Sequence, residues 1–221
     1  MIDFKNANID FRIFPDHPKR PLVIAYYTKD TPYVGEAEVL KLSLASMGYS
    51  YKVCGVSNRG TWQKNTQMKA EFIQQMLAVH PGRPMLYLDV DAIMVKRPVF
   101  LNDLCADIAA VHFCKQNELL SGTVFFGNTP KCREVVDCWI RINADHPKFL
   151  PGHKLAWDQR TLQLAINRIE GVNFVELPQG YTWIAELTER CSKEEVVAYI
   201  VHTRGAKRFK NIIDGKKGFA V

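Results

Sequence analysis

Two aspartates, Asp89 and Asp91, follow directly on the apolar run Met85-Leu86-Tyr87-Leu88. Residues two apart on a strand point to the same side. Both carboxylates are therefore expected to aim at one point while Val90 faces the core. Converging carboxylates repel unless a cation lies between them. Oxygen ligands of this kind suit Mg²⁺ or Mn²⁺, and such an ion can hold a diphosphate and stabilise it as a leaving group. About 110 residues further on, His202 closes a second apolar run and is followed by Thr203-Arg204-Gly205-Ala206-Lys207. Mn²⁺ accepts imidazole beside carboxylates, glycine lets the backbone approach an anion closely, and the Lys207 ammonium offers charge to a phosphate.

These residues need elements to hold them. Leu22–Tyr27 is short, apolar and β-rich and reads as a buried strand. Gly35–Met47 has helical spacing (Ala37, Leu40, Leu44, Met47) and stops at Gly48, a C-cap signal. Tyr51–Val56 reads as a second strand. Thr66–Val79 reads as a helix burying Met68, Phe72, Met76 and Val79, and Met85–Leu88 as a third strand leading through the aspartates into Ala92–Val95. Ile108–Phe113, Thr123–Phe126, Val172–Leu177 and Val197–His202 complete the expected strands. Lys131–Asn143 and Asp158–Arg168 complete the helices. The first twenty residues, with Pro15 and Pro18, are expected to be irregular. Strands alternating with helices predict an α/β fold with a mostly parallel sheet. Ligands of such sheets bind beyond the carboxyl ends of the strands.

The chain has 221 residues, 47% hydrophobic and 24% charged, which excludes disorder and fibrous classes and fits one domain over 1–221. No apolar run approaches the ~18–20 residues that span a bilayer. The N-terminus shows no basic segment followed by an apolar one, so a cytoplasmic protein is expected. The six cysteines (54, 105, 114, 132, 138 and 191) match no zinc framework and read as reduced thiols. The net charge of +6 suits an anionic partner such as a nucleotide, a nucleic acid or a membrane surface.

Tyr87-Leu88-Asp89-Val90-Asp91 resembles the metal motif of GT-A-fold glycosyltransferases, which use nucleotide-diphospho-sugars. Ile200 to Lys207 resembles the His-x-x-Gly-x-Lys element of the retaining glycogenin and lipopolysaccharide galactosyltransferase group, although Arg208-Phe209 stands where that group has Pro-Trp. The resemblance implies a single GT-A (Rossmann-like) domain, with a nucleotide-binding half at about 20–98 and an acceptor-binding half at about 99–221. It implies Mn²⁺ or Mg²⁺ on Asp89, Asp91 and His202, with Gly205 and Lys207 at the diphosphate of a donor such as a UDP-sugar. Tyr26, Tyr27, Thr28 and Lys29 take the place of the base-holding turn, and Lys69, or Lys64, that of a donor-facing lysine. Ser121 and Gly122 match the segment beside the sugar. Asp158 and Gln159 match a pair that contacts the transferred sugar. Asp158 also reads as the N-cap of the helix that follows it.

The implied reaction moves a sugar to an acceptor hydroxyl. No carboxylate stands out as the general base an inverting enzyme needs, and the resemblance points to retention, with Asp158 stabilising positive charge at the anomeric carbon. The basic charge puts a hydroxymethylated base in DNA slightly ahead as the acceptor, with a saccharide or lipid-linked sugar as the alternative. Arg12, Lys19, Arg20, Lys207, Arg208, Lys210, Lys216 and Lys217 are the candidate DNA-phosphate contacts. The glycine-broken basic tail does not read as a membrane helix. Rival readings are a haloacid-dehalogenase-type phosphatase, a sugar nucleotidyltransferase and a non-catalytic nucleic-acid-binding domain.

Overall fold

The structure is a computed structural model, and it describes residues 8–12, 20–113, 118–149, 157–184, 196–203, 208, 209 and 213. Arg204, Gly205, Lys207 and the basic residues Lys19, Lys210, Lys216 and Lys217 lie outside the described residues. The elements run β1 (Asn8–Arg12), β2 (Leu22–Thr28), α1 (Tyr33–Ser46), β3 (Tyr51–Val56), α2 (Trp62–Val79), β4 (Met85–Leu88), β5 (Ala92–Met94), β6 (Ile108–Phe113), β7 (Glu118–Phe126), α3 (Pro130–Phe149), α4 (Asp158–Arg168), β8 (Phe174–Glu176) and β9 (Ile200–His202). Among the described residues two short 3-10 turns, Val99–Asp103 and Gln179–Thr182, join them.

A seven-stranded sheet has the order β1-β3-β2-β4-β7-β6-β8. β2, β3, β4, β6 and β8 point one way, and β1 and β7 oppose them. The sheet is therefore mixed and mostly parallel, as expected for an α/β fold. β5 and β9 form a separate antiparallel pair.

The central strands are buried on both faces, which explains their unbroken apolar runs. Alternate residues feed two cores. Met85 and Tyr87 of β4 join Leu22, Ile24, Met68, Phe72, Trp139 and Leu162. Leu86 and Leu88 join Val23, Ala25, Leu40, Leu44 and Phe125 on the other side. The first core lies under α2, α3 and α4, and the second under α1 and the small sheet. α1 buries Ala37, Leu40 and Leu44 and stops before Gly48, whose φ of +68° is the left-handed turn that a glycine allows.

Several boundaries differ from the sequence reading. β1 is a strand where irregular chain was expected. It adds to β3 through backbone pairing, Asn8 opposite Gly55 to Arg12 opposite Tyr51, and an edge strand asks little of side-chain pattern. α2 begins at Trp62, with Thr61 as N-cap accepting from the Lys64 backbone N–H at 3.2 Å. Apolar periodicity starts only at Met68, so the first turn was invisible to it. Val79 is 59% exposed rather than buried. β7 begins at Glu118 rather than Thr123. An irregularity opposite Ala110/Val111 breaks its alternation. The described cysteines 54, 105, 132 and 138 are free thiols. No helix among the described residues is long and apolar enough to cross a membrane.

Candidate active site

The carboxyl ends of β2, β3 and β4 share one edge of the sheet, and the candidate residues gather beyond β4. The strand does not run through the aspartates as expected. Ala92 N–H donates to the Asp89 carbonyl at 2.9 Å, so the chain turns at Val90-Asp91 and enters the second sheet. Val90 is buried, as read. The placement of Asp91 thus comes from a turn and a strand pairing, not from the period of one strand. In that pairing Ala92 stands opposite His202, and the Thr203 N–H donates to the Asp91 carbonyl at 3.0 Å. Asp91 and His202 are neighbours because β5 and β9 pair.

The His202 Nδ1 lies 3.5 Å from Asp91 Oδ1. Its Nε2 is 2.9 Å from the Thr123 hydroxyl. With Nε2 as the protonated nitrogen in that bond, Nδ1 presents its lone pair beside Asp91. Asp89 uses one oxygen within the protein: Tyr87 Oη donates to Oδ1 at 2.9 Å, and Lys69 Nζ stands 2.9 Å from the same atom. The other oxygen faces Gly122. A Cβ there would sit 2.9 Å from His202 Cε1, 3.2 Å from Nδ1 and 3.3 Å from Asp89 Oδ2. Glycine is what allows the imidazole and the carboxylate to flank this backbone together.

Electrostatics bear on the fit of a cation. Burial pushes the Asp89 carboxyl up and Lys69 opposes it, while Asp158 and Asp91 push it up further and His202 pulls it down. A divalent ion relieves this burial and repulsion. Among the described residues no three or more His, Cys, Asp or Glu side chains are preassembled as a metal cage. The donor chemistry nevertheless suits Mn²⁺ or Mg²⁺: His202 Nδ1 lies beside Asp91 Oδ1, and Asp89 Oδ2 and the His202 ring both flank Gly122. The separation of 3.5 Å between His202 Nδ1 and Asp91 Oδ1 is near that of neighbouring ligands each bound at roughly 2.1 Å.

A second polar cluster adjoins the first. Lys69 is buried on α2, 2.5 Å from Asp158 Oδ2 as well as against Asp89. It also donates to the Ser121 carbonyl and hydroxyl, both at 3.1 Å, and lies over the Tyr87 ring. Burial lowers the Lys69 ammonium, but Asp158 and Asp89 outweigh it and hold the group above its ordinary value. Ser121 Oγ donates to Asp158 Oδ2 at 2.8 Å. Asp158 is thus the first helical residue of α4, engaged with Lys69 and Ser121. It is not the expected N-cap; Trp157 holds that position without a side-chain bond. Gln159 follows it, half-buried.

The expected base-holding residues divide between the two faces of the sheet. Tyr26 packs in the core against Phe72 and Tyr87 and donates to the Asn65 carbonyl at 2.7 Å. Tyr27 lies across Gly55 on the opposite face, with Lys41, Glu38 and Asp10 as its charged neighbours. Thr28 binds Thr31 and shapes the turn. Lys29 is half-buried there and Lys64 is exposed on α2. A residue near the turn that feels the charge of the aspartates is Tyr33, which the sequence reading missed. Burial first, then Asp91, pushes its hydroxyl up, opposed by a hydrogen bond from Trp62. Its ring meets Phe209 edge-on at 5.4 Å. Tyr87 and Thr123 were also missed as partners of Asp89 and His202. Tyr87 could have been found, since it precedes Asp89 by two residues.

Three of the candidate DNA-phosphate residues are described. Arg12 and Arg20 lie at the opposite edge of the sheet, beside Tyr51 and just before Leu22. Arg20 donates to the Gly48 carbonyl at 2.9 Å and stacks on Tyr49. Arg208 is at the site's edge and pairs with Glu36. These three form no single phosphate-facing stripe.

No family model and no curated protein matches the sequence. Solved structures do match the fold. A glycosyltransferase involved in glycosylation of the major capsid of PBCV-1 superposes with a TM-score of 0.61 at 16% identity, covering 89% of this chain and 98% of that one. The galactosyltransferase LgtC, in complex with donor and acceptor sugar analogues, gives 0.53 at 10% identity over 90% of this chain and 97% of its own. The glycosyltransferase GlyE of Streptococcus pneumoniae TIGR4 gives 0.57 at 14% identity over 83% of this chain and 55% of its own. The chain has the GT-A glycosyltransferase fold.

Proposed function

We propose that this protein is a metal-dependent glycosyltransferase that moves a sugar from a nucleotide-diphospho-sugar to an acceptor hydroxyl with retention. The observation that supports this reading is His202 beside Asp91, with Asp89 Oδ2 and the same imidazole flanking Gly122, at the carboxyl edge of a GT-A sheet. Mn²⁺ or Mg²⁺ held by these three would neutralise the donor diphosphate and make it a better leaving group. Tyr87 and Lys69 fix Asp89, and Thr123 fixes His202, so the donor atoms are oriented before any ligand arrives. Asp158, held by Lys69 and Ser121, would supply negative charge to the anomeric carbon as it becomes positive. Its engagement with Lys69 favours that electrostatic role over nucleophilic attack. Gln159, beside it, would contact the transferred sugar, as the resemblance implies. Lys207 and Gly205 keep their proposed place at the diphosphate by sequence.

A UDP-sugar is the donor to try first. The placement of Arg12 and Arg20 favours a saccharide or lipid-linked acceptor over DNA. The test is nucleotide release from a panel of nucleotide-sugars with Mn²⁺, followed by product analysis with saccharides and with hydroxymethylated duplex DNA. Release should stop in EDTA and in Asp91→Asn, and the product's anomeric configuration should match the donor's. Undiminished release in EDTA would remove the metal from the reaction, and an inverted product would remove retention.

A further inference from the structure

Glu36 lies in the first turn of α1, far in sequence from Asp89, Asp91 and His202, yet its side chain is 15% exposed. Its two oxygens take two partners from the chain that leaves β9. Arg208 Nη2 donates to Oε1 at 2.7 Å, and the Thr203 hydroxyl donates to Oε2 at 3.3 Å. The same Arg208 nitrogen donates to Thr203 Oγ1 at 2.8 Å, closing a ring of three bonds. Thr203 follows His202 directly, and its backbone N–H is the one bonded to the Asp91 carbonyl. The ring thus grips the residue that ties together the turn carrying Asp91 and the strand carrying His202. β5, β9 and α1 have no other side-chain clamp on that residue among the described contacts.

We propose that Glu36 is a positioning residue for the metal centre, acting through Thr203 and Arg208 to hold Asp91 and His202 at their mutual distance. This rests on the metal-dependent reading above. β9 is three residues long and its one partner strand among the described residues is β5, so a loosened Thr203 lets Asp91 and His202 drift apart. Glu36 touches neither donor atom, and its contribution is to the geometry in which the ion is taken up. Groups that orient metal ligands from outside typically change affinity by about 10–100-fold when removed.

The test is Mn²⁺ titration, by calorimetry and by the spin resonance of free Mn²⁺, on wild type, Glu36→Ala, Thr203→Val and Thr203→Ser. Thr203→Val keeps the shape and backbone N–H but loses both hydroxyl bonds. Glu36→Ala and Thr203→Val should bind Mn²⁺ about tenfold more weakly, Thr203→Ser should match wild type, and excess Mn²⁺ should restore the rate of donor hydrolysis in the weakened variants. A role limited to folding stability would lower the melting temperature without moving Mn²⁺ affinity. Wild-type affinity in both Glu36→Ala and Thr203→Val overturns the inference while leaving the metal reading in place. Absence of Mn²⁺ uptake by wild type overturns that reading and this inference with it. If Glu36→Ala does not fold, Thr203→Val decides.

Discussion

Lys69 carries the densest set of interactions in the site: two carboxylates, a serine hydroxyl, a carbonyl and an aromatic face. A buried ammonium is tolerated only where its charge is matched, and here Asp89 and Asp158 supply the match. Replacing it with methionine keeps the bulk and strands two carboxylates. Lys69→Met should therefore lose about 3 kcal/mol of stability in denaturant unfolding, and a loss under about 1 kcal/mol would show that water already solvates the pair. Gly122 makes the opposite case, a residue defined by what it leaves out. Gly122→Ala puts a methyl carbon 2.9 Å from the His202 ring. Secondary structure should survive in circular dichroism, while Mn²⁺ affinity drops about tenfold or more, as when ligand orientation is disturbed.

At the scale of elements, α2 is the part that brings Lys69 to β4 and α4. Its approach from β3 is braced by Arg59, whose guanidinium meets both oxygens of Glu71 at 3.1 and 2.8 Å. The hydrogen bond from Arg59 chiefly holds the Glu71 carboxyl below its ordinary 4.5, against the effect of burial. A depressed folded value means the pair's stabilisation is complete above the unfolded value and fades as pH falls through the folded one. Both side chains are partly exposed, at 35% and 27%, so the contribution is small, under ~1 kcal/mol. Glu71→Gln should cost that amount at neutral pH and less at acid pH, measured by urea unfolding at each pH. An equal cost at both would mean the amide loses packing rather than charge.

At the scale of the whole molecule, charge and fold point in different directions. The excess of +6 first suggested nucleic acid. Arg12 and Arg20, however, sit at the edge of the sheet away from Asp89, and Arg208 is engaged with Glu36. A protein tracking DNA with six or more phosphate contacts loses about 10³-fold or more in affinity between ~50 and ~200 mM salt. Transfer to a saccharide acceptor should change less than about threefold over that range, because only the donor diphosphate is charged. A steep fall on hydroxymethylated DNA, with sugar added to the base, would return the acceptor to nucleic acid.

The sequence alone determined the strands and helices that bury continuous or periodic apolar faces, because those faces are local patterns. β2, β3 and β4 were legible to within a residue, and with them the position of Asp89 and Asp91 beyond a buried strand. His202 was legible as a partner through the residues that follow it, and Lys69 through its place on the helix before β4. Only the tertiary structure decided how these meet. The turn at Asp91 and the pairing of β5 with β9 join segments about 110 residues apart, and no local period records which strand a three-residue segment will find. The same holds for β1, whose pairing uses backbone groups that every residue has. It holds for Tyr33 and Glu36, ordinary surface-type residues of a first helical turn until the chain after β9 packs against them. It holds for Lys69, whose burial is favourable only because Asp89 and Asp158, from two other elements, arrive at the same nitrogen.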